Sequence, residues 1–167
     1  MGYYKVFQID KHTWKIEDPF HSFMYLLEGE KQAALLDTGD GFPGLLGCIR
    51  DLTAMPLFVI NTHGHLDHIG GNSQLPDTAV YMKREDLSTA EEHMNYKFRK
   101  AFIEGFAEEF GQDVPLEMLN EISWEQERGK MRSLEEGQVF DLGGRCLEII
   151  WTPGHTGGSV CVLDREK

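Results

Sequence analysis

Leu57-Phe58-Val59-Ile60-Asn61-Thr62-His63-Gly64-His65-Leu66-Asp67-His68 is the stretch on which the reading of this chain turns. Its first four residues are a compact apolar run, half of it β-branched. Such a run suits a short strand covered on both faces. Three imidazoles and a carboxylate then follow within six residues. A loop leaving the carboxyl end of a buried strand is where open α/β sheets place their chemistry, so fold and function are read at one point.

Working outward, residues 5–10, 13–17, 22–27 and 32–37 read as short strands separated by turn residues, an antiparallel meander. Pro43 opens a segment to Leu52 whose Leu45, Leu46, Ile49 and Leu52 follow helical spacing. Strand, helix and strand 57–60 together predict a crossover onto a covered sheet. Residues 79–82 are a further strand. The stretch 83–132, rich in Glu, Lys, Ala and Met, predicts an inserted helical cap. Phe98, Phe102, Phe106 and Phe110 lie on one broad face of it, to be covered by the sheet domain, by an apolar substrate or by a second copy of the chain. Strands return at 138–141, 146–151 and 159–163, and Gly143-Gly144 makes a hairpin turn.

Composition bounds the rest. With 167 residues, 41% hydrophobic and 26% charged, one globular domain over 1–167 is the expectation. A net charge of -12 argues against a polyanion partner, so no nucleic acid is expected. Lys97, Arg99 and Lys100 read as a solvated helix face. The start, Met1-Gly2-Tyr3-Tyr4-Lys5, lacks a secretory apolar core and no run reaches membrane-spanning length, so the expected location is cytoplasmic, with no membrane partner. Cys48, Cys146 and Cys161 show no CxxC spacing and sit in apolar stretches, as buried thiols would.

Neutral imidazole and carboxylate are ligands for zinc, iron and manganese. In an extended segment residues i and i+2 point the same way, so His63 and His65 can close on one ion across Gly64. If a helix begins near Leu66, Asp67 and His68 fall in its first turn, where unpaired N–H groups keep a carboxylate ionised, and they can face a second ion. His155 follows the apolar strand 147–151 in Thr152-Pro153-Gly154-His155-Thr156-Gly157-Gly158-Ser159 and leaves by the same exit, which makes it a third ligand of the first ion. Asp37 is either the acceptor that orients a ligand imidazole from behind or a turn aspartate. His12, His21 and His93 have no comparable context and read as surface or packing residues.

The pattern resembles the metallo-β-lactamase superfamily, whose HxHxDH signature stands here as His63-Gly64-His65-Leu66-Asp67-His68, followed by Gly70-Gly71. Asp37 matches the family's early structural aspartate and His155 its next histidine. The resemblance implies an α/β fold of the αββα sandwich type and a hydrolase whose metal-bound hydroxide attacks a small ester, thioester, lactone or lactam. It implies His63, His65 and His155 on one ion, Asp67 and His68 on the other, Asp67 also orienting the nucleophile, and two Zn2+ ions in a complete site, with Fe or Mn as alternatives. The family pattern continues with a bridging aspartate and a last histidine, neither of which appears after His155. The expectation is an N-terminal portion of the sandwich, weak or single-site in metal binding, inactive alone, and prone to pair through the cap or an exposed sheet. A di-iron oxidoreductase of the same fold, a nuclease and a non-catalytic binding module are the alternatives; the first usually carries glutamate where Gly64 stands.

Overall fold

The computed structural model describes residues 2–165. Turns at Asp10-Lys11 and Glu28-Gly29 fold β1 (Lys5–Asp10), β2 (Thr13–Glu17), β3 (Phe23–Glu28) and β4 (Ala33–Leu36) into an antiparallel meander. Helix α1 (Leu45–Leu52) then carries the chain over to β5 (Leu57–Ile60), parallel to β4. Strands β6 (Ala79–Met82) and β7 (Met131–Ser133) extend the parallel half, giving seven strands in sequence order. Helix α2 (Leu66–Ile69) lies between β5 and β6, and α3 (Leu87–Met94), α4 (Tyr96–Phe110) and α5 (Trp124–Lys130) lie between β6 and β7. A second, antiparallel sheet has the order β10 (Val160–Asp164), β9 (Cys146–Trp151), β8 (Val139–Asp141).

The alternation of a strand explains the layers. Leu26, Leu35, Val59 and Val80 point to one face, against Leu45 and Ile49 of α1. Their neighbours Leu27, Ala34, Phe58 and Ile60 point to the other, against Leu147, Ile149 and Val160 of the second sheet. Both sets are buried, as the unbroken apolar run of β5 requires. The result is helices, large sheet, small sheet. Phe7, Phe23 and Tyr25 share the inner face with Leu27 but lie beyond the cover of the small sheet and are exposed. Among the described residues no helix is long and apolar enough to cross a membrane.

The helical stretch packs on the helix side through Phe20, Phe42, Leu66, Met82 and Ile103, and Phe102, Phe106 and Phe110 lean on that cluster. Phe20 touches Phe106 edge-on at 5.8 Å and stacks on Phe110 at 6.0 Å, so most of the phenylalanine stripe is packing. Phe98 is the exception and lies 4.2 Å from the ring of His93.

Three expectations need correction. Met131–Ser133 is a strand that overlaps the last two residues of the stretch read as helical; three residues are too short to show a period, and pairing with β6 supplies the structure. Arg99 is buried, not solvated: its stem crosses the face that carries Ile103 and its guanidinium donates to the Asn120 carbonyl. Cys161 is exposed, because it alternates with the inward Val160 and Val162 on β10, while Cys48 and Cys146 are half-buried.

Candidate metal centre

Strand β5 ends at Ile60, and its continuation is pinned on both sides. Asn61 is fully buried and donates to the His68 carbonyl at 2.9 Å, which ties the end of α2 back to the strand. Gly70 and Gly71 follow because the turn at residues 38–41 lies against them: a Cβ on Gly71 would stand 2.4 Å from the Thr38 carbonyl oxygen. The six-residue cluster is therefore clamped between the crossover turn and the sheet.

The structure brings His63, His65 and His155 together. His63 Nε2 lies 3.2 Å from His65 Nδ1, which lies 3.0 Å from His155 Nε2. All three ligand atoms fall within 4.8 Å of one another. Nitrogens bound to one tetrahedral ion at about 2.0–2.1 Å stand about 3.3 Å apart, and the His63–His65 and His65–His155 separations match that spacing. His63 and His65 are both biased towards the neutral, ligating form: burial, helped by the charge of His68, lowers the His63 pKa to about 4, and burial and then His155 lower that of His65.

Asp67 and His68 form a second convergence, with Asp67 Oδ2 3.2 Å from His68 Nε2. The other ring nitrogen, His68 Nδ1, faces Asp37 Oδ2 at 2.7 Å. Asp37 takes a left-handed backbone, φ 61°, which an aspartate tolerates, and it accepts from the Thr62 N–H at 2.7 Å and the Thr62 hydroxyl at 2.8 Å. Of its two readings, the contacts are those of an orienting acceptor, and the imidazole it faces is that of His68. Burial opposes a charge on His68, but Asp37 and Asp67 outweigh it and hold the pKa at about 10 in the metal-free chain. Burial likewise works to raise the Asp67 pKa, and the hydrogen bond and charge of His68 bring it below the ordinary carboxylate range.

Two participants escaped the sequence reading. His93, assigned there to surface or packing, stacks on His65 at 4.7 Å and 21°, and its Nδ1 accepts the Leu66 N–H at 3.1 Å. A lone histidine on a helix gives no warning of this, since α3 approaches from 27 residues downstream. Asp86, buried at the root of α3, hydrogen-bonds to the loops on both sides of the cluster. His12 and His21 stay apart from it, paired with Glu28 and Glu17.

The model of the metallo-beta-lactamase superfamily matches residues 18–167, nine-tenths of the chain. The chain belongs to that superfamily. The acyl-coenzyme A thioesterase MBLAC2 of Bos taurus is 26% identical over 163 residues, covering 86% of this chain and 54% of its own length. The hydroxyacylglutathione hydrolase of Crocosphaera subtropica is 26% identical over 145 residues, covering 83% and 42%. The chain thus spans about half the length of these relatives. Among solved structures, the metallo-beta-lactamase GOB-18 from Elizabethkingia meningoseptica aligns with TM-score 0.67 at 19% identity over 98% of this chain and 56% of its own, a likeness of fold. The protein TTHA1623 in a di-iron-bound form aligns with TM-score 0.58 at 26% identity over 89% and 64%.

Proposed function

We propose that this chain carries the metal-holding part of a hydrolase for small acyl thioesters. The observation that carries the reading is the convergence of His63, His65 and His155 within 4.8 Å of one another beside the Asp67–His68 pair. His63, His65 and His155 would hold one ion, and Asp67 and His68 would contribute to a second. Ions bound here would supply Lewis acidity and lower the pKa of a bound water towards neutrality. The chain's own residues do the rest: Asp37 aims His68, and Asp67 accepts a proton or orients water at its Oδ2. Zinc suits three neutral imidazoles. Iron is the second reading, favoured by the di-iron form of the TTHA1623 relative.

The relatives support the substrate class, since their names specify acyl-coenzyme A and hydroxyacylglutathione, both of which carry an acyl group on a thiol. A groove suits one: Phe23, Tyr25, Leu36, Val160 and Val162 line a space of about 620 Å³ that ends at Asp67 and His68. The chain has no histidine after His155, and the aspartate there, Asp164, is paired with Arg145, so the second ion has two protein ligands from this chain.

The test is zinc uptake by the purified chain, by equilibrium dialysis and elemental analysis. One tightly held ion per monomer is expected, reduced at least 100-fold in affinity by His63→Ala. Two tight ions would refute the incomplete second site, and none would refute the metal reading. Turnover of acetyl-coenzyme A or lactoylglutathione is expected where the second site is complete; cleavage of an oxygen ester or β-lactam in preference to both would overturn the substrate class.

A further inference from the structure

We propose that Asp86 is the positioning residue of the first ion site, holding the His155 loop against the His63–His65 turn. The inference rests on the reading that these three histidines hold an ion. Asp86 ends a short 3-10 turn that leads into α3 and is 1% exposed. Its Oδ2 accepts the Gly64 N–H at 2.9 Å and the Thr156 hydroxyl at 2.6 Å, and its Oδ1 accepts the Gly158 N–H at 2.7 Å. Gly64 stands between His63 and His65, and Thr156 follows His155 directly. One buried carboxylate therefore grips both ligand-bearing loops.

A commoner role for an aspartate in this place is capping of its own helix, but the Asp86 side chain makes no cap hydrogen bond to α3. The carboxylate is committed to the loops. The glycines on either side record how closely the residue approaches: a Cβ on Gly158 would lie 2.7 Å from Asp86 Cγ of the carboxylate, and one on Gly64 would lie 2.8 Å from the Asp86 backbone carbonyl oxygen. This gives a reason for Gly64 within the signature and for Gly158 within the second loop.

His155 needs such a tether. It is exposed, and besides the contact of its own imidazole with His65, the hydrogen bonds among the described residues that tie its loop to the signature are the Asp86 contacts and one backbone bond, Val160 N–H to the Thr62 carbonyl. Thr156 also meets Ser159 Oγ at 2.8 Å, which shapes the loop without attaching it to the site. Without Asp86, ion binding must order the loop as well as ligate it, so affinity falls although no ligand is lost. Outer partners of metal ligands are typically worth about 10- to 100-fold in affinity.

The test is a calorimetric zinc titration of the intact chain and of Asp86→Ala, Thr156→Val and Thr156→Ser, each also combined with His155→Ala. Asp86→Ala is expected to weaken zinc at least 10-fold and Thr156→Val about 3- to 10-fold, with Thr156→Ser restoring binding. In the His155→Ala background the Thr156→Val loss is expected to vanish and the Asp86→Ala loss to shrink at least 3-fold, leaving the Gly64 arm. Equal losses with and without His155 would show a general effect on the fold and overturn the proposal, as would unchanged affinity in both single variants. Should Asp86→Ala fail to fold by circular dichroism, the Thr156 series decides alone. An unsubstituted chain that binds no zinc fails the metal reading itself; one that binds zinc regardless of Asp86 and Thr156 fails only this inference.

Discussion

Replacing Arg145 with alanine is expected to cost about 3–5 kcal/mol of folding stability, the range for breaking a buried ion pair by removing one partner. Arg145 precedes β9 and is 6% exposed. Its Nε and Nη2 donate to Asp164 Oδ2 at 2.9 and 2.6 Å, its Nη2 to Thr13 Oγ1 at 2.9 Å, and its Nη1 to the His12 carbonyl at 2.8 Å. Asp164 closes β10, whereas Thr13 opens β2, so a single guanidinium joins the small sheet to the large one. Alanine leaves a carboxylate, a hydroxyl and a carbonyl facing one another around a void. Lysine keeps the charge but cannot fork, and is expected to recover less than half of the loss. Denaturant unfolding checks this: the midpoint should fall with the slope unchanged. A cost below 1 kcal/mol for alanine would mean that the sheets are held by the Leu147 and Ile149 layer alone.

Neither Arg145 nor Asp86 could be read from the chain, and both fail for one reason. Arg145 lies 132 residues from Thr13, and Asp86 lies 70 from Thr156; an isolated charged residue carries no period and no motif. What the sequence does carry is local. The β5 run, the β6 run and β9 have the bounds that their apolar residues suggest, because burial on one or both faces leaves an imprint on every residue of a strand. The HxHxDH spacing is equally local, which is why the pairing of His63 with His65, and of Asp67 with His68, could be stated from backbone geometry alone. His155 was legible for a weaker reason, the shared exit of two buried strands. His93 was not, since its place depends on how α3 packs. The phenylalanine stripe shows the same limit from the other side: its period was plain, but the division between Phe98 beside His93 and the three that reach the Phe20 cluster is set by the tertiary contact.

The chain also places two carboxylates, Asp18 and Asp40, where one of them is better neutral, and Asp40→Asn is expected to stabilise the protein at high pH. Asp18 and Asp40 are each 2% exposed. Asp18 accepts three backbone N–H groups, from Phe20 at 3.0 Å, Ser22 at 3.1 Å and Asp40 at 2.9 Å, all of which favour its charged form. Asp40 has the Ser22 hydroxyl at 2.7 Å on Oδ2, whereas its Oδ1 is buried with no hydrogen-bond partner among the described residues. The shared proton therefore belongs on Asp40, and burial, reinforced by the charge of Asp18, raises its pKa from 3.8 to about 8. A carboxyl whose folded pKa exceeds its unfolded value contributes stability that is complete below the unfolded pKa and is lost as pH rises through the folded one. Stability should accordingly decline between about pH 4 and pH 8 on this account, with a ceiling near 6 kcal/mol at about 1.4 kcal/mol per pH unit. Asparagine is neutral at every pH and can still accept from Ser22, so Asp40→Asn should match the parent near pH 5 and exceed it by up to roughly 4 kcal/mol at pH 9. Asp18→Asn should do the reverse and destabilise at pH 5, because both carboxyl oxygens accept N–H donors and the amide nitrogen that replaces one of them cannot. Urea unfolding of the three proteins at pH 5, 7 and 9 separates the roles: an Asp40→Asn protein with the parent's pH slope would mean that the carboxyl ionises freely in the folded state, and the assignment of the proton would be wrong.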